Sequence, residues 1–272
     1  MQSKKIQGVE VPEIGLGTFG LIGKTGEKII KMALNMGYRH IDTAQDYKNE
    51  REVGNAIKQS HVKRDELFVT TKIDRINLEP EKFLKTAEQS LLDLDIPYVD
   101  LLLIHWPNPD VEIEKTIEAM LSFRDQGKAL NIGVSNFPIK LLKEVNEELA
   151  APIFCNQVEY HPLLGQLDLL DYAADQDLLV TAYSPLGQGM LIEHPLLIEI
   201  GKKYGKSASQ VSLRWLIEQE QVVAIPKAST KEHLESNLDI YDFELEDDDF
   251  YAIDDLDKNT RVINPDFAPE WD

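Results

Sequence analysis

The chain has 272 residues, 43% of them hydrophobic, enough for one large core or two small ones, since single domains run to roughly 250–300 residues. Lys and Arg number 28 against 48 Asp and Glu, and a formal net charge of -20 excludes a nucleic-acid footprint and an anionic-membrane surface, leaving small or neutral partners. The lone cysteine, Cys155, excludes an internal disulfide, the apolar runs fall far short of the roughly 18 residues of a membrane span, and no secretory leader is visible; one cytoplasmic domain over 1–272 is expected.

In chain order, "KKIQGVEV" (4–11) reads as a hairpin around Gly8 that can cap the floor of a larger sheet. Eight short runs rich in branched residues follow: "GLGTF" (15–19), "YRHID" (38–42), "LFVTTK" (67–72), "VDLLLIH" (99–105), "NIGVSN" (131–136), "IFCNQVEY" (153–160), "LLVTAYS" (178–184) and "VVAIPK" (222–227). Between them the apolar spacing is helical, as in Phe83, Leu84, Ala87 and Leu91, or Ile113, Ile117, Met120 and Leu121. Helix starts are signalled by Asn49 with Glu52, Ser207 with Gln210 and Ser229 with Glu232. An extra helix is expected within "HPLLIEIGKKYG" (194–205), and the acidic run "ELEDDDFYAIDDLDKN" (244–259) reads as a solvated helix face. Strand and helix alternate without a linker, which predicts an α/β chain folded as a (β/α)8 TIM barrel, with an N-terminal β-hairpin and an aperiodic C-terminal tail from about 257; an open doubly wound sheet is the second choice.

A barrel of this kind does its chemistry at the C-terminal ends of its strands, so polar residues there become candidates. Asp42 closes its strand with Tyr47 in the loop beyond, while Lys72 and His105 close two others. Each alone has a bland explanation, a snorkelling lysine or a hydrogen-bonded core histidine. Together they make a proton donor: Asp42 offers Lys72 a counter-charge, Lys72 favours the tyrosinate form of Tyr47 and so lowers its pKa, and His105 orients the oxygen that Tyr47 faces. Such a set suits general acid catalysis on a carbonyl, worth roughly 10²- to 10⁴-fold.

The segments "GLGTFG" (15–20), "YRHIDTAQDYKNEREVG" (38–54), "TTKI" (70–73), "VDLLLIHWP" (99–107), "IGVSNF" (132–137), "NQVEYHP" (156–162), "AYSPLGQG" (182–189) and "IPKAST" (225–230), taken together, resemble the aldo-keto reductases. The likeness is greatest to the prokaryotic branch that contains 2,5-diketo-gluconate and methylglyoxal reductases, and the terminal "APEWD" resembles its B-type 2,5-diketo-D-gluconate reductase. The resemblance implies NAD(P)H-dependent reduction of aldehydes and ketones, with catalytic Asp42, Tyr47, Lys72 and His105 and no metal. The family contains monomers and dimers, and nothing here chooses between them.

On the cofactor side the resemblance implies that Ser135, Asn136 and Gln157 meet the nicotinamide amide and Tyr183 stacks on its ring. No G-x-G-x-x-G is present; instead "SPLGQG" (Ser184, Leu186, Gly187, Gln188, Gly189) is expected to bring backbone N–H groups to the diphosphate. The segment running from Ile225 through Lys227, Ser229 and Thr230 enters a helix N-terminus, a natural anion site, with Asn237 further along. His233 stands where NADPH-using relatives commonly carry arginine. Arginine is always charged, whereas histidine is mostly neutral at pH 7, so NADPH is expected with NADH also admitted, Lys227 and Lys231 supplying the remaining positive charge.

Phe19 and Trp106, beside Tyr47 and His105, are the expected substrate contacts, with the tail near Phe267 as a further wall. Asp74, where many relatives place a bulky aromatic, suggests a more open or polar pocket and neutral carbonyls over keto-acids. Two readings compete. Asp42, His105, Glu159 and His161 are ligand types for a barrel metal hydrolase, and a cofactor-binding redox sensor or regulatory subunit would need no turnover.

Overall fold

A computed structural model of the chain describes residues 2–256 and 259–272, so Asp257 and Lys258, at the start of the tail, lie outside the described residues. Strands β1 (Ser3–Ile6) and β2 (Val9–Pro12) form the expected hairpin, with Ile6 opposite Val9. Its two-residue turn puts both Gln7 (φ 46°) and Gly8 (φ 82°) in the left-handed region, the geometry that matches strand twist. Gln7 is held there by Asp177, whose Oδ2 accepts its backbone N–H, and by a side-chain hydrogen bond to the Ile153 carbonyl. Ile6 and Val11 can then pack with Phe68, Leu101, Phe154 and Val223, and the hairpin plugs one end of the barrel interior.

Eight parallel strands follow: β3 (Leu16–Gly17), β4 (His40–Asp42), β5 (Phe68–Ile73), β6 (Val99–Ile104), β7 (Ala129–Ser135), β8 (Ile153–Glu159), β9 (Leu179–Tyr183) and β10 (Val222–Ala224), hydrogen-bonded in that order. The sheet closes where Ile14 pairs in parallel with Ala224; the Gly15 N–H donates to the Ala224 carbonyl at 2.8 Å and the Ala224 N–H to the Glu13 carbonyl at 2.9 Å. The glycines of the first run have a reason here. A Cβ on Gly17 would sit 2.7 Å from the Ile225 carbonyl oxygen and one on Gly15 would strike the His40 ring, so only the bare backbone lets the first strand reach the last.

The outer layer is α1 (Gly23–Asn35), α2 (Glu50–Ser60), α3 (Pro80–Leu94), α4 (Ile113–Asp125), α5 (Ile139–Lys143), α6 (Leu167–Gln176), α7 (Pro195–Tyr204), α8 (Ala208–Glu218), α9 (Lys231–Leu238) and α10 (Asp247–Asp254). Phe83, Ala87 and Leu91 of α3, and Ile117 and Met120 of α4, are buried against the sheet as their spacing requires, each large side chain contributing about 1.5–3 kcal/mol of apolar burial. The extra helix appears as α7. None of the described helices is long and apolar enough to cross a membrane.

Three local expectations are corrected. Ser207 and Gln210 do form a capping box, but the cap of α9 is Thr230, whose Oγ1 accepts the His233 N–H at 3.3 Å, and not Ser229. Asn49 occupies the cap position of α2, yet its side chain turns inward: it accepts from Thr43 Oγ1 at 2.7 Å and donates to the Thr18 and Leu21 carbonyls. That buried hub ties the loop carrying Tyr47 to the loop after β3. The acidic run is only partly solvated, because Asp249 is buried and accepts from Lys203 and the Tyr204 hydroxyl, and Asp254 accepts from Trp215 Nε1 at 2.8 Å.

Glu50, the first residue of α2, is buried and accepts from Thr71 Oγ1 at 2.6 Å. Burial pushes its carboxyl up to about 7, against an ordinary value near 4.5. The unfolded chain therefore ionises at Glu50 before the folded one, and the native state loses stability as pH rises from about 4.5 through about 7. Glu50→Gln removes that loss. Urea midpoints at pH 5 and pH 8 should show wild type falling further than the variant, and parallel changes in the two proteins would disprove it.

Candidate active site

Four candidate side chains come together at the C-terminal end of the barrel. Asp42 ends β4, Lys72 lies one residue before the end of β5, His105 follows β6, and Tyr47 sits in a single 3-10 turn, Gln45–Tyr47, beyond β4. The pleat explains the choice of residues: Thr71 points out to Glu50 in the helical layer, so Lys72 must point in. Lys72 is fully buried, and its ammonium has three oxygen partners: Asp42 Oδ1 at 2.6 Å, the Thr43 carbonyl at 2.9 Å and the Tyr47 hydroxyl at 3.4 Å. An ammonium that deep is tolerable only because every one of its N–H directions finds an acceptor.

Burial opposes the charge on Lys72, but Asp42 and Tyr47 outweigh it and hold the ammonium above the ordinary lysine range. For Tyr47 the balance runs the other way from the sequence expectation. Burial is the largest influence and raises the phenol above its ordinary value; the Lys72 charge pulls it down without winning. Tyr47 therefore keeps its proton at neutral pH. Lys72 is placed to stabilise the tyrosinate once the proton leaves, and a donor needs both properties.

His105 stands edge-on to Tyr47, with ring centroids 5.7 Å apart, and its Nδ1 lies 3.2 Å from Asp46 Oδ1. Burial disfavours the Asp46 carboxylate, yet the bond and charge of His105 hold it below its usual range. Asp46 thus orients His105 from one side, a partner the sequence reading misses although it precedes Tyr47 by one residue. Gln157, expected as a cofactor contact, has a protein partner. Its Nε2 donates to Asp42 Oδ2 at 2.7 Å, so Asp42 is bound on one oxygen by Lys72 and on the other by Gln157. Phe19 packs on Tyr47 at 5.1 Å and is largely exposed, while Trp106 is buried between Phe267 (5.5 Å) and Trp271 (6.0 Å) of the tail.

The remaining strand ends form the candidate cofactor side. Asn136 is held in the left-handed region (φ 63°) by its own side chain, which donates to the His105 carbonyl and Ser135 Oγ and accepts from the Tyr183 hydroxyl at 2.8 Å. Asn136 therefore links His105 to the half-buried ring of Tyr183, and Ser135 Oγ donates to the Gln157 carbonyl. After Ser184, the turn through Leu186, Gly187, Gln188 and Gly189 is strongly curved, with positive φ at Ser184, Gly187, Gln188 and Gly189. The N–H groups of Gly187 and Gly189 are spent on Ser184 and Leu186, so contacts from this turn to a diphosphate must come from other amides. Ile225 is buried at the barrel seam, while Lys227, Ser229, Thr230 and His233 are exposed, Lys227 reaching toward Gly20, where an added Cβ would lie 3.5 Å from its Nζ. Asn237, one helical turn beyond His233 on α9, is buried, with its side chain against the Tyr38 hydroxyl. An aromatic face, amide and hydroxyl groups and an exposed lysine on neighbouring strand ends are the residue types that would hold a dinucleotide.

The metal-hydrolase set does not converge. Glu159 is buried and accepts from His161 Nε2 at 3.0 Å and from the Val262 and Ile263 backbone N–H groups at 2.7 and 2.8 Å, so it anchors the C-terminal tail. Asp74 caps its own turn, its Oδ1 accepting from the Ile76 N–H at 3.4 Å.

The aldo/keto reductase family profile matches residues 13–258. Glyoxal reductase of Bacillus subtilis (strain 168) is 43% identical over 261 residues, 95% of this chain and 94% of that protein. Methylglyoxal reductase DkgB of Escherichia coli O157:H7 is 39% identical over 266 residues, 96% of this chain and 99% of that one. A crystal structure provisionally assigned as a 2,5-diketo-D-gluconic acid reductase B superposes with a TM-score of 0.97 at 40% identity, covering 100% of this chain and 98% of that one. With the barrel, the buried Lys72–Asp42 pair and full-length similarity in agreement, the chain belongs to the aldo/keto reductase family.

Proposed function

We propose that the protein reduces small aldehydes and ketones to alcohols, with Tyr47 as the proton donor and NADPH as the preferred reductant. The observation that carries this reading is the Lys72 ammonium, fully buried, bound to Asp42 and within 3.4 Å of the Tyr47 hydroxyl. Bound reduced nicotinamide would supply the hydride. Ser135, Asn136 and Gln157 would hold its amide and Tyr183 its ring face, with Ser184, Leu186, Gln188, Lys227, Ser229 and Thr230 toward the phosphates. His105, steadied by Asp46, orients the carbonyl oxygen toward the Tyr47 hydroxyl. As that oxygen gains charge, the Tyr47 Oη proton moves to it, and Lys72 meets the tyrosinate left behind with a positive charge that needs no reorganisation. Trp106 and Phe19 wall the substrate side and keep water from the proton path. The similarity to glyoxal and methylglyoxal reductases supports small dicarbonyls as substrates.

The test is loss of NADPH absorbance with methylglyoxal, an aromatic aldehyde and a diketo sugar acid; no turnover of any of them would refute the reading. Repeating the assay with NADH in wild type and in His233→Arg probes the first turn of α9. A guanidinium there should raise the NADPH over NADH preference in kcat/KM severalfold. An unchanged preference would remove that position from phosphate recognition.

A further inference from the structure

The turn that carries Tyr47 has little core of its own: Gln45 and Tyr47 are half-buried and Asp46 is exposed. What fixes it lies at its two ends. Thr43 and Asn49 are both fully buried, and Thr43 Oγ1 donates to Asn49 Oδ1 at 2.7 Å, which closes a side-chain clamp across the base of the turn. The same Thr43 offers its carbonyl to the Lys72 ammonium at 2.9 Å, while its N–H donates to the Thr70 carbonyl. Asn49 is joined in turn to α2, its carbonyl accepting the Val53 N–H at 3.0 Å. The clamp therefore sets the place of the Tyr47 hydroxyl and of one oxygen partner of Lys72 together.

The nitrogen of the same amide closes a second turn. Asn49 Nδ2 donates to the Thr18 carbonyl at 2.8 Å and to the Leu21 carbonyl at 3.1 Å, the two ends of the turn that carries Phe19, and the Leu21 N–H donates back to the Thr18 carbonyl. Phe19 is largely exposed, so the backbone on either side, rather than packing, decides where its ring meets Tyr47 at 5.1 Å. We infer that Asn49 is a positioning residue for the reduction: through one buried amide it registers the Tyr47 turn against Lys72 and the Phe19 wall against Tyr47. The inference rests on the carbonyl-reductase reading and extends it to a side chain that touches neither substrate nor cofactor. The Tyr47 hydroxyl stands 3.4 Å from Lys72, and a misplacement of about 1 Å at a reacting group costs roughly 10²-fold in rate. Deleting the amide leaves a buried hydroxyl and two loop carbonyls each short of a partner, so both turns are released at once.

Asn49→Ala should lower kcat for methylglyoxal reduction roughly tenfold or more and raise KM severalfold, since the proton donor and the wall both lose their tie. Thr43→Val keeps the shape and loses only the hydroxyl, so it should lower kcat alone, and Thr43→Ser should recover most of that loss. NADPH affinity, read by fluorescence titration, should stay near wild type in all three. The deciding readout is the Tyr47→Phe background: with the proton donor gone, Asn49→Ala should cost little further kcat, the non-additivity of groups that act as a unit. A loss as large in that background as in wild type would leave Asn49 a structural residue only and overturn the inference, as would wild-type kcat in folded Asn49→Ala. If Asn49→Ala does not fold, Thr43→Val and Thr43→Ser, alone and combined with Tyr47→Phe, decide in the same way. Absence of carbonyl reduction by wild type would instead refute the underlying reading, and the inference with it.

Discussion

Replacing Tyr47 with phenylalanine should lower kcat for carbonyl reduction by roughly 10²- to 10⁴-fold, the range that a positioned general acid contributes, while dinucleotide affinity stays close to wild type. The replacement is conservative in space. The Tyr47 ring packs edge-on to Phe19 and His105, and phenylalanine keeps both contacts; only the hydroxyl 3.4 Å from Lys72 is lost. Lys72 retains Asp42 and the Thr43 carbonyl, so its charge remains paired and the fold should hold. Because burial keeps the Tyr47 proton in place above its ordinary range, no fall in wild-type kcat assignable to Tyr47 should appear between pH 6 and pH 9. Stopped-flow turnover with a fluorescence titration of NADPH separates the two readouts. A variant that turns over at the wild-type rate would take Tyr47 off the proton path.

How much of this is legible in advance follows from the range of the interactions. The eight strands can be read because a buried parallel strand is a local pattern, a run of branched residues cut off by a polar one. Lys72, Asp42 and His105 stand out because an ionisable residue at the end of such a run contradicts its surroundings. Ser207 with Gln210 is read correctly since a capping box spans only three residues. What escapes is set by tertiary register. Gln157 meets Asp42 from a strand 115 residues away, and nothing near either one signals the other. Glu159 looks like a metal ligand type, but its two oxygens hold amides of a tail about 100 residues downstream. The sign of the Tyr47 shift escapes for a related reason: a charge nearby can be guessed from a sequence, whereas the degree of burial that overrides it depends on every element that covers the site. Thr230 displaces Ser229 as a cap because a one-residue change in where α9 begins decides between adjacent hydroxyls.

Asp42→Asn should both unfold more easily and lose turnover, and the two losses have different origins. Removing one partner of a buried pair typically costs about 3–5 kcal/mol, since the remaining charge is stranded without water. Here the stranded group is the fully buried Lys72 ammonium, bound at 2.6 Å to the oxygen that loses its charge. The amide oxygen that the replacement introduces can still accept one bond, but Gln157 and Lys72 now compete for a single acceptor where two carboxylate oxygens served them. A lysine in that position minimises its cost by giving up its proton, so its folded pKa should drop below the unfolded value of about 10.4. The sign of the pH dependence follows: the unfolded chain then binds more protons than the folded one below about pH 10, and the variant should regain stability, relative to wild type, as pH rises. Adding Lys72→Met removes the stranded charge and should recover most of the urea midpoint. It should not recover kcat, because no ammonium is left beside Tyr47 to stabilise the tyrosinate. If the double variant were as unstable as Asp42→Asn alone, the cost would lie in lost packing or in the Gln157 contact. If instead Asp42→Asn retained wild-type kcat, the carboxylate would hold nothing that the proton transfer needs.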